Sequence, residues 1–209
     1  MPHTIEKTIF KFDELTDSAK EKARDWWRQA ESSDMDLLDR DDLEEIAKIL
    51  GIEFDKRQVP LMNGKTRGES NIYYSGFCSQ GDGACFEGRY SYTKGCAKAI
   101  RKYAPKDMRL HSIADQMQAL QRKHFYRISA TTSQRGHYYH SGCMSVDVYL
   151  DGVDAPRSIE DDMRDILREF ADWIYQQLKS EYEYRMSNEN VDESIRINDY
   201  DFDELGNID

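Results

Sequence analysis

Residues 158–186 carry one long apolar stripe, with Ile159, Met163, Ile166, Phe170, Trp173, Ile174 and Leu178 recurring every three or four positions. That period predicts a single long helix with one buried side. Ser158-Ile-Glu-Asp161 is a capping-box pattern at its start, and Gly152 and Pro156 separate it from the segment before. The segments upstream alternate instead. In 143–150, Met144, Val146, Val148 and Leu150 point one way. In 85–92, Phe86, Gly88, Tyr90 and Tyr92 share one face. Residues 71–77 and 125–132 read as their strand partners. Strand pairs flanked by helices, with no Rossmann glycine pattern, predict an α+β fold: an antiparallel sheet flanked by helices, a long C-terminal helix and an acidic tail.

The rest of the chain fits around this frame. Thr8, Phe10 and Phe12 stand at a strand period in 4–12. Thr16 is a candidate N-cap for a helix with Ala19, Ala23, Trp26, Trp27 and Ala30 at helical spacing. One or both tryptophans are expected to pack that helix against the sheet or the long helix. After a Ser- and Asp-rich loop, Leu43, Ile46, Ala47 and Leu50 form a second stripe, and Gly51 stands where a helix end favours a left-handed residue. Ile52 to Phe54 begins a strand. Residues 55–69, with NGKTRG, read as a mobile loop. A short helix over 94–103 stops near Pro105, and another runs from Asp107 to about Lys123 on Leu110, Ile113, Met117 and Leu120. The expected organisation is one domain over 1–186 and a loose acidic arm over 187–209, with Ile195 and Ile197 as a short strand.

The net charge is -11, of which 187–209 contribute -7. Such a chain repels nucleic acid unless a local basic patch exists, and it has no five-residue basic run. No stretch reaches the apolar length of a spanning helix, and MPHTIEKTIFKF lacks a signal peptide's apolar core. The expectation is a cytoplasmic protein with no membrane association. Its cysteines, Cys78, Cys85, Cys96 and Cys143, are then free thiols.

The stretch SGFCSQGDGACFEG, residues 75–88, holds four of the twelve glycines. It suits a hairpin connection in which Gly81 or Gly83 adopts positive φ, although a glycine-rich turn also cradles anions. It is neither a Walker A loop nor a dinucleotide fingerprint. A faint copy, SQRGHYYHSG, spans Ser133 to Gly142, and both lie between expected strands; this fits a duplicated unit or chance. His137, His140 and Cys143 form H-x-x-H-x-x-C, all acceptable zinc ligand types, but strand or turn spacing does not aim all three one way. His111 or His124 could serve Cys96 or Cys143 as a base, though nothing in the spacing demands it. Aromatic residues 73, 74, 77, 90, 92, 138 and 139 offer stacking rings, with Arg89, Lys94 and Arg135 the few cations near them in sequence.

The run FDELTDSAKEKARDWWRQA, followed by YYSGFCSQGDGACFEG, resembles a widespread group of uncharacterised phage and prophage proteins. Their members open with a strand, then a "FDEL…AKEKA…W" helix, then a Ser-Gln-Gly-Asp-Gly turn followed by Phe and Gly. Here these are Phe12 to Leu15, Ala19 to Ala23, Trp26, Ser79 to Gly83, Phe86 and Gly88. The resemblance covers about the first 120 residues. Some relatives are labelled antitoxins of toxin–antitoxin systems. The resemblance implies an accessory protein of a mobile element, a setting that includes inhibitors of host defence such as anti-CRISPR proteins.

The functional expectation is therefore protein binding. The partner is a basic host or phage protein, such as a CRISPR–Cas defence effector, and the acidic surface guides the encounter. The alternatives are a nucleic-acid-binding regulator or antitoxin, and a small metal-dependent enzyme. No catalytic residue, metal or cofactor is expected. The expected contacts are Gln80 and Asp82 in the glycine turn and Asp199, Tyr200, Asp201, Phe202, Asp203 and Glu204 in the tail. On that reading, deleting 199–209 weakens binding and leaves the thermal midpoint nearly unchanged.

Overall fold

The computed structural model describes residues 7–31, 37, 40–62 and 64–209. The start of the expected first strand, most of the Ser- and Asp-rich loop and Asn63 of NGKTRG lie outside the described residues. The chain divides into two compact units, Met1–Leu38 with Leu178–Asp209, and Asp39–Gln177. The fold is α+β, with antiparallel strands throughout and a long helix toward the C-terminus. The grouping differs from the expected one-domain-plus-tail organisation, because 187–209 belong with the N-terminal segment.

In the larger unit, helix α2 (Arg40–Leu50) ends at Gly51, which has φ +91° and lets the chain turn into strand β2 (Ile52–Phe54). A Cβ at Gly51 would lie 2.0 Å from the Ser91 carbonyl oxygen, so both the angle and the space require glycine there. The main sheet joins β2 to β7 (Gly88–Ser91), β8 (Ile128–Gln134), β9 (Met144–Leu150) and β10 (Val153–Asp154), in the order β10-β9-β8-β7-β2. Ile52, Phe54, Tyr90, Ile128, Ala130, Val146 and Val148 are buried. Their strand neighbours Glu53, Arg89 and Asp147 are exposed, so one sheet face is apolar and the other polar.

Buried side chains of α3 (Cys96–Tyr103), α4 (Met108–Lys123) and α5 (Arg157–Arg185) complete this core, among them Ile100, Leu110, Met117, Met163, Phe170 and Ile174. Asp107 caps α4 by accepting from Leu110 N at 2.9 Å, and its other oxygen accepts from Trp173 Nε1 at 2.7 Å. Helix α5 opens at Arg157, one residue before the capping-box serine, with the Pro156 carbonyl accepting its first N–H groups. Strand β8 begins at Ile128 rather than at Phe125, because Phe125 and Tyr126, with φ of 55° and 62°, close the end of α4 in the left-handed region.

Gln121, fully buried on α4, binds both main-chain groups of one residue in β8. It donates to Ile128 O at 2.7 Å and accepts from Ile128 N at 3.2 Å. Gln121→Leu strands two backbone groups, each costing about 1–3 kcal/mol. Urea unfolding should show a free-energy loss of that order, read as a lower midpoint with an unchanged m value.

Residues 56–60 and 66–70, within the stretch expected as a mobile loop, are strands. Strands β3 (Lys56–Pro60) and β4 (Thr66–Ser70) pair in register from Lys56↔Ser70 to Pro60↔Thr66. Most of their residues are exposed, so no apolar alternation announced the ribbon.

The smaller unit holds β1 (Phe10–Lys11), α1 (Asp17–Glu31), α6 (Asn188–Ile197) and β11 (Asp201–Phe202). Thr16 Oγ1 accepts from Ala19 N at 3.4 Å, the expected cap. Ala19, Ala23 and Trp27 of α1 meet Val191 and Ile195 of α6, together with Phe12, Leu15 and Phe202. Trp26 stands edge-on to Tyr200, with ring centroids 5.1 Å apart, and to Phe202 at 6.1 Å. Within this unit the tryptophans therefore pack α1 on α6 and the C-terminal segment.

The acidic tail is ordered here as a helix and a strand. Ser187 caps α6, and Ile195 and Ile197 belong to that helix rather than to a strand. Arg24 clamps Asp192 with two bonds of 2.6 and 2.8 Å, and β11 pairs with β1 through Phe10↔Phe202. A Cβ on Gly206 would lie 2.1 Å from Ala19 O, so the chain end lies directly against α1.

Candidate functional site

The two echoing stretches meet in the larger unit. The first connects β5 (Ile72–Tyr74) to β6 (Ala84–Phe86), an antiparallel pair with Tyr73 opposite Cys85. The second connects β8 to β9. Neither Gly81 nor Gly83 has positive φ, contrary to expectation. A carboxylate closes the turn: Asp82 Oδ2 accepts from Cys78 N at 2.9 Å and Ser79 N at 2.6 Å. The glycines serve close approach instead. A Cβ on Gly83 would lie 2.6 Å from both Cα and Cβ of His140, in the other loop.

Gln134, the glutamine of the second copy, ties the loops together. Its N–H donates to Glu87 at 3.1 Å, its amide donates to Tyr138 O at 2.6 Å, and its Oε1 faces Cys85 Sγ at 3.4 Å. Glu87 also accepts from Asn71 and from the Tyr73 hydroxyl. Burial, then the Glu87 carboxylate, pushes the Tyr73 hydroxyl up; burial, then Cys143, pushes the Cys85 thiol up to about 12. Gln80, the matching residue of the first copy, is exposed. The copies thus play different parts. The second closes with Gly136 at φ +110° and a tight turn over Ser141–Cys143, not with a carboxylate.

Aromatic rings line the junction. Tyr73 stacks on Tyr139 at 5.5 Å, and Phe77 stacks on Tyr175 of α5 at 5.6 Å. The Arg57 guanidinium, from the ribbon, lies 5.4 Å over the Tyr73 ring. The Tyr175 hydroxyl donates to Gly76 O at 3.1 Å. Tyr138 stands 65% exposed beside Gly81. Arg168 of α5 donates to the carbonyls of Gly142 and Met144, each at 3.2 Å. The polar atoms Asn71 Oδ1, Ser75 Oγ and Arg168 Nε are enclosed with no hydrogen-bond partner among the described residues, and all three belong to residues bonded into this junction.

Of the expected contacts, Gln80 and Asp82 lie in this unit and residues 199–204 in the other. Phe202 is fully buried and Tyr200 half-buried on Trp26, so these rings dock the tail on its own unit. Asp199 and Asp201 pair with Lys11. Asp203 closes a local turn by accepting from Leu205 N and Asn207 N, each at 2.9 Å; its bonds from Asn207 hold its carboxyl below the usual range. Glu204 is exposed.

Among the described residues, no group of three His, Cys, Asp or Glu side chains gathers to hold a metal. His140 and Cys143 do meet, Nε2 to Sγ 3.1 Å, while His137 is exposed. His111 Nε2 bonds Ala104 O at 2.8 Å. No described helix is long and apolar enough to cross a membrane.

The chain belongs to the family described as Domain of unknown function (DUF8835), which matches residues 39–188. The match opens at the first residue of the larger unit and contains both loops; the FDEL…AKEKA…W stretch lies outside it. No curated protein and no solved structure matches the chain.

Proposed function

We propose that the chain is a protein-binding module whose contact surface is the paired loops 75–83 and 135–143. The observation that carries this reading is the convergence of a Ser- and Gly-rich connection, 75–83, with a Tyr-bearing one, 135–143, into one surface held by strand pairs and α5. Loops of that composition bind proteins well. Tyrosine offers a large amphipathic face with little side-chain entropy to lose, and serine and glycine adapt their backbone hydrogen bonds. Tyr138 and Gln80 are exposed on this surface, alongside Cys78, Ser79, Arg135 and His137.

The phage resemblance makes the role that of a cytoplasmic accessory protein acting on a basic partner, such as a CRISPR–Cas defence effector. A net charge of -11 favours such encounters. Affinity capture with the intact chain tests this. The Tyr138→Ala, Gln80→Ala double variant should weaken the captured complex about thirtyfold, the loss of one hot spot of about 2 kcal/mol, at an unchanged melting temperature. Equal capture by both proteins counts against the reading.

One observation favours nucleic acid as a second reading. The ribbon places Lys56, Arg57 and Arg67 on two paired strands, with Lys65 in the connection between them and Leu61 and Met62 exposed at its tip. A two-stranded ribbon fits the DNA major groove. The ion pairs of Lys56 with Glu44, and of Arg57 and Arg67 with Glu69, compete with phosphate and rank this reading second. Four phosphate contacts would give a salt slope of about -3.6 in log K against log salt. Fluorescence anisotropy on labelled duplex should find no binding at 50 mM salt if the ribbon serves another role; a slope near that value, reduced by about 1 in Lys65→Gln, would establish the DNA reading.

A further inference from the structure

We infer that Cys143 is a thiolation site, at which the thiol exchanges with low-molecular-weight disulfides and His140 acts as its base. The inference is independent of the partner proposed above.

The geometry is local and well fixed. Cys143 Sγ lies 3.1 Å from His140 Nε2, and Cys143 N donates to His140 O at 2.9 Å. The histidine has little room to leave. Gly83 abuts its Cα and Cβ, and a Cβ on Gly142 would lie 2.9 Å from its Nδ1. Arg168 holds the carbonyls on both sides of the cysteine. A thiol in contact with a fixed imidazole, and partly exposed, has what nucleophilic sulfur needs: a proton acceptor and an approach path.

The other cysteines lack one or both. Cys85 and Cys96 are buried, and burial pushes both thiols up. Cys78 is exposed, but no imidazole bonds it among the described contacts. Only at Cys143 do partial exposure and an imidazole at hydrogen-bond distance coincide among the described residues.

The exchange step balances. With Nε2 as acceptor, the thiol proton passes to His140 as Sγ attacks one sulfur of the reagent disulfide. A new S–S bond forms to Cys143 and the reagent S–S bond breaks. The departing thiolate carries off the electron pair and takes the proton back from His140. Cys143 is oxidised, the reagent is reduced, and the products are a mixed disulfide and one free thiol.

The adduct would sit in the junction of the two loops, beside Gly142 and Gly83, so thiolation places a new group on that surface.

The test uses the intact chain, oxidised glutathione and an aromatic disulfide reagent. Mass spectrometry after oxidised glutathione should find one glutathionyl adduct, on Cys143. Stopped-flow with the aromatic disulfide should show one fast thiol, absent in Cys143→Ser and retained in Cys78→Ser. His140→Gln should slow it about tenfold or more at pH 7 and leave it nearly unchanged at pH 10, where thiolate forms without a base. Circular dichroism of His140→Gln guards against misfolding; should that variant unfold, the Cys78→Ser and Cys143→Ser pair still decides which thiol is fast. A fast phase lost in Cys78→Ser, or a Cys143 rate unmoved at pH 7 by a folded His140→Gln protein, overturns the inference.

Discussion

Phe202→Ala should destabilise the smaller unit by about 3–5 kcal/mol, the usual range for removing a buried phenylalanine ring. Phe202 is fully buried seven residues from the last residue, edge-on to Phe12 at 6.5 Å and to Trp26 at 6.1 Å. The cavity would open between α1, α6 and β11, where Val191, Ile195, Ala23 and Leu15 also meet. A domain's whole margin is about 5–15 kcal/mol, so this loss removes a large part of it. Two of the three tryptophans, Trp26 and Trp27, lie in this unit and report its unfolding by fluorescence. Deleting 199–209 should do the same or worse, because it also removes Gly206 from its seat on Ala19. An unchanged transition in both variants would restore the loose tail that the acidic composition suggested.

Gly83→Ala should have the second largest effect, and at the binding surface itself. Its Cβ would stand 2.6 Å from the Cα and Cβ of His140, so backbone in one loop must move. Overpacking of this kind costs about 1–3 kcal/mol. Gly81→Ala, two residues away in the same motif, is the control. Its nearest neighbour is the Tyr138 ring at 3.7 Å, an ordinary contact, and its φ is not in the left-handed region. Thermal melting should separate the two, with Gly81→Ala close to wild type and Gly83→Ala several degrees lower. Equal midpoints would mean that the loops do not hold each other.

The contrast between these two glycines shows where the sequence was legible. Periodic elements were: Leu43, Ile46, Ala47 and Leu50, the α4 stripe, the β9 alternation and the Thr16 cap all stand where their spacing put them. The SQGDG motif was found, and its place between antiparallel strands was correct. Its mechanism was not legible, because glycine looks the same whether it supplies positive φ or merely omits a Cβ. Only the position of His140, 57 residues further on, decides between them.

Elements without an apolar period were missed. The β3–β4 ribbon is exposed on both faces. Helix α6 hides two buried residues, Val191 and Ile195, among acids that read as a solvated arm. Ser187, three residues before Asn190, was the available signal, since it caps that helix. The boundary between the units falls within α5, so no linker composition marks it. The Cys143–His140 contact was hidden for another reason. H-x-x-C was read as part of a three-ligand metal pattern, while the turn over 141–143 brings only two of the three together.

Hydrogen exchange on the captured complex tests the central claim most directly. If the paired loops bind the partner, amides in 76–82 and 135–143 should slow together on complex formation, while those of 56–70 and 199–209 exchange as in the free chain. Protection confined to the ribbon or to the C-terminal segment, with both loops unchanged, would contradict it.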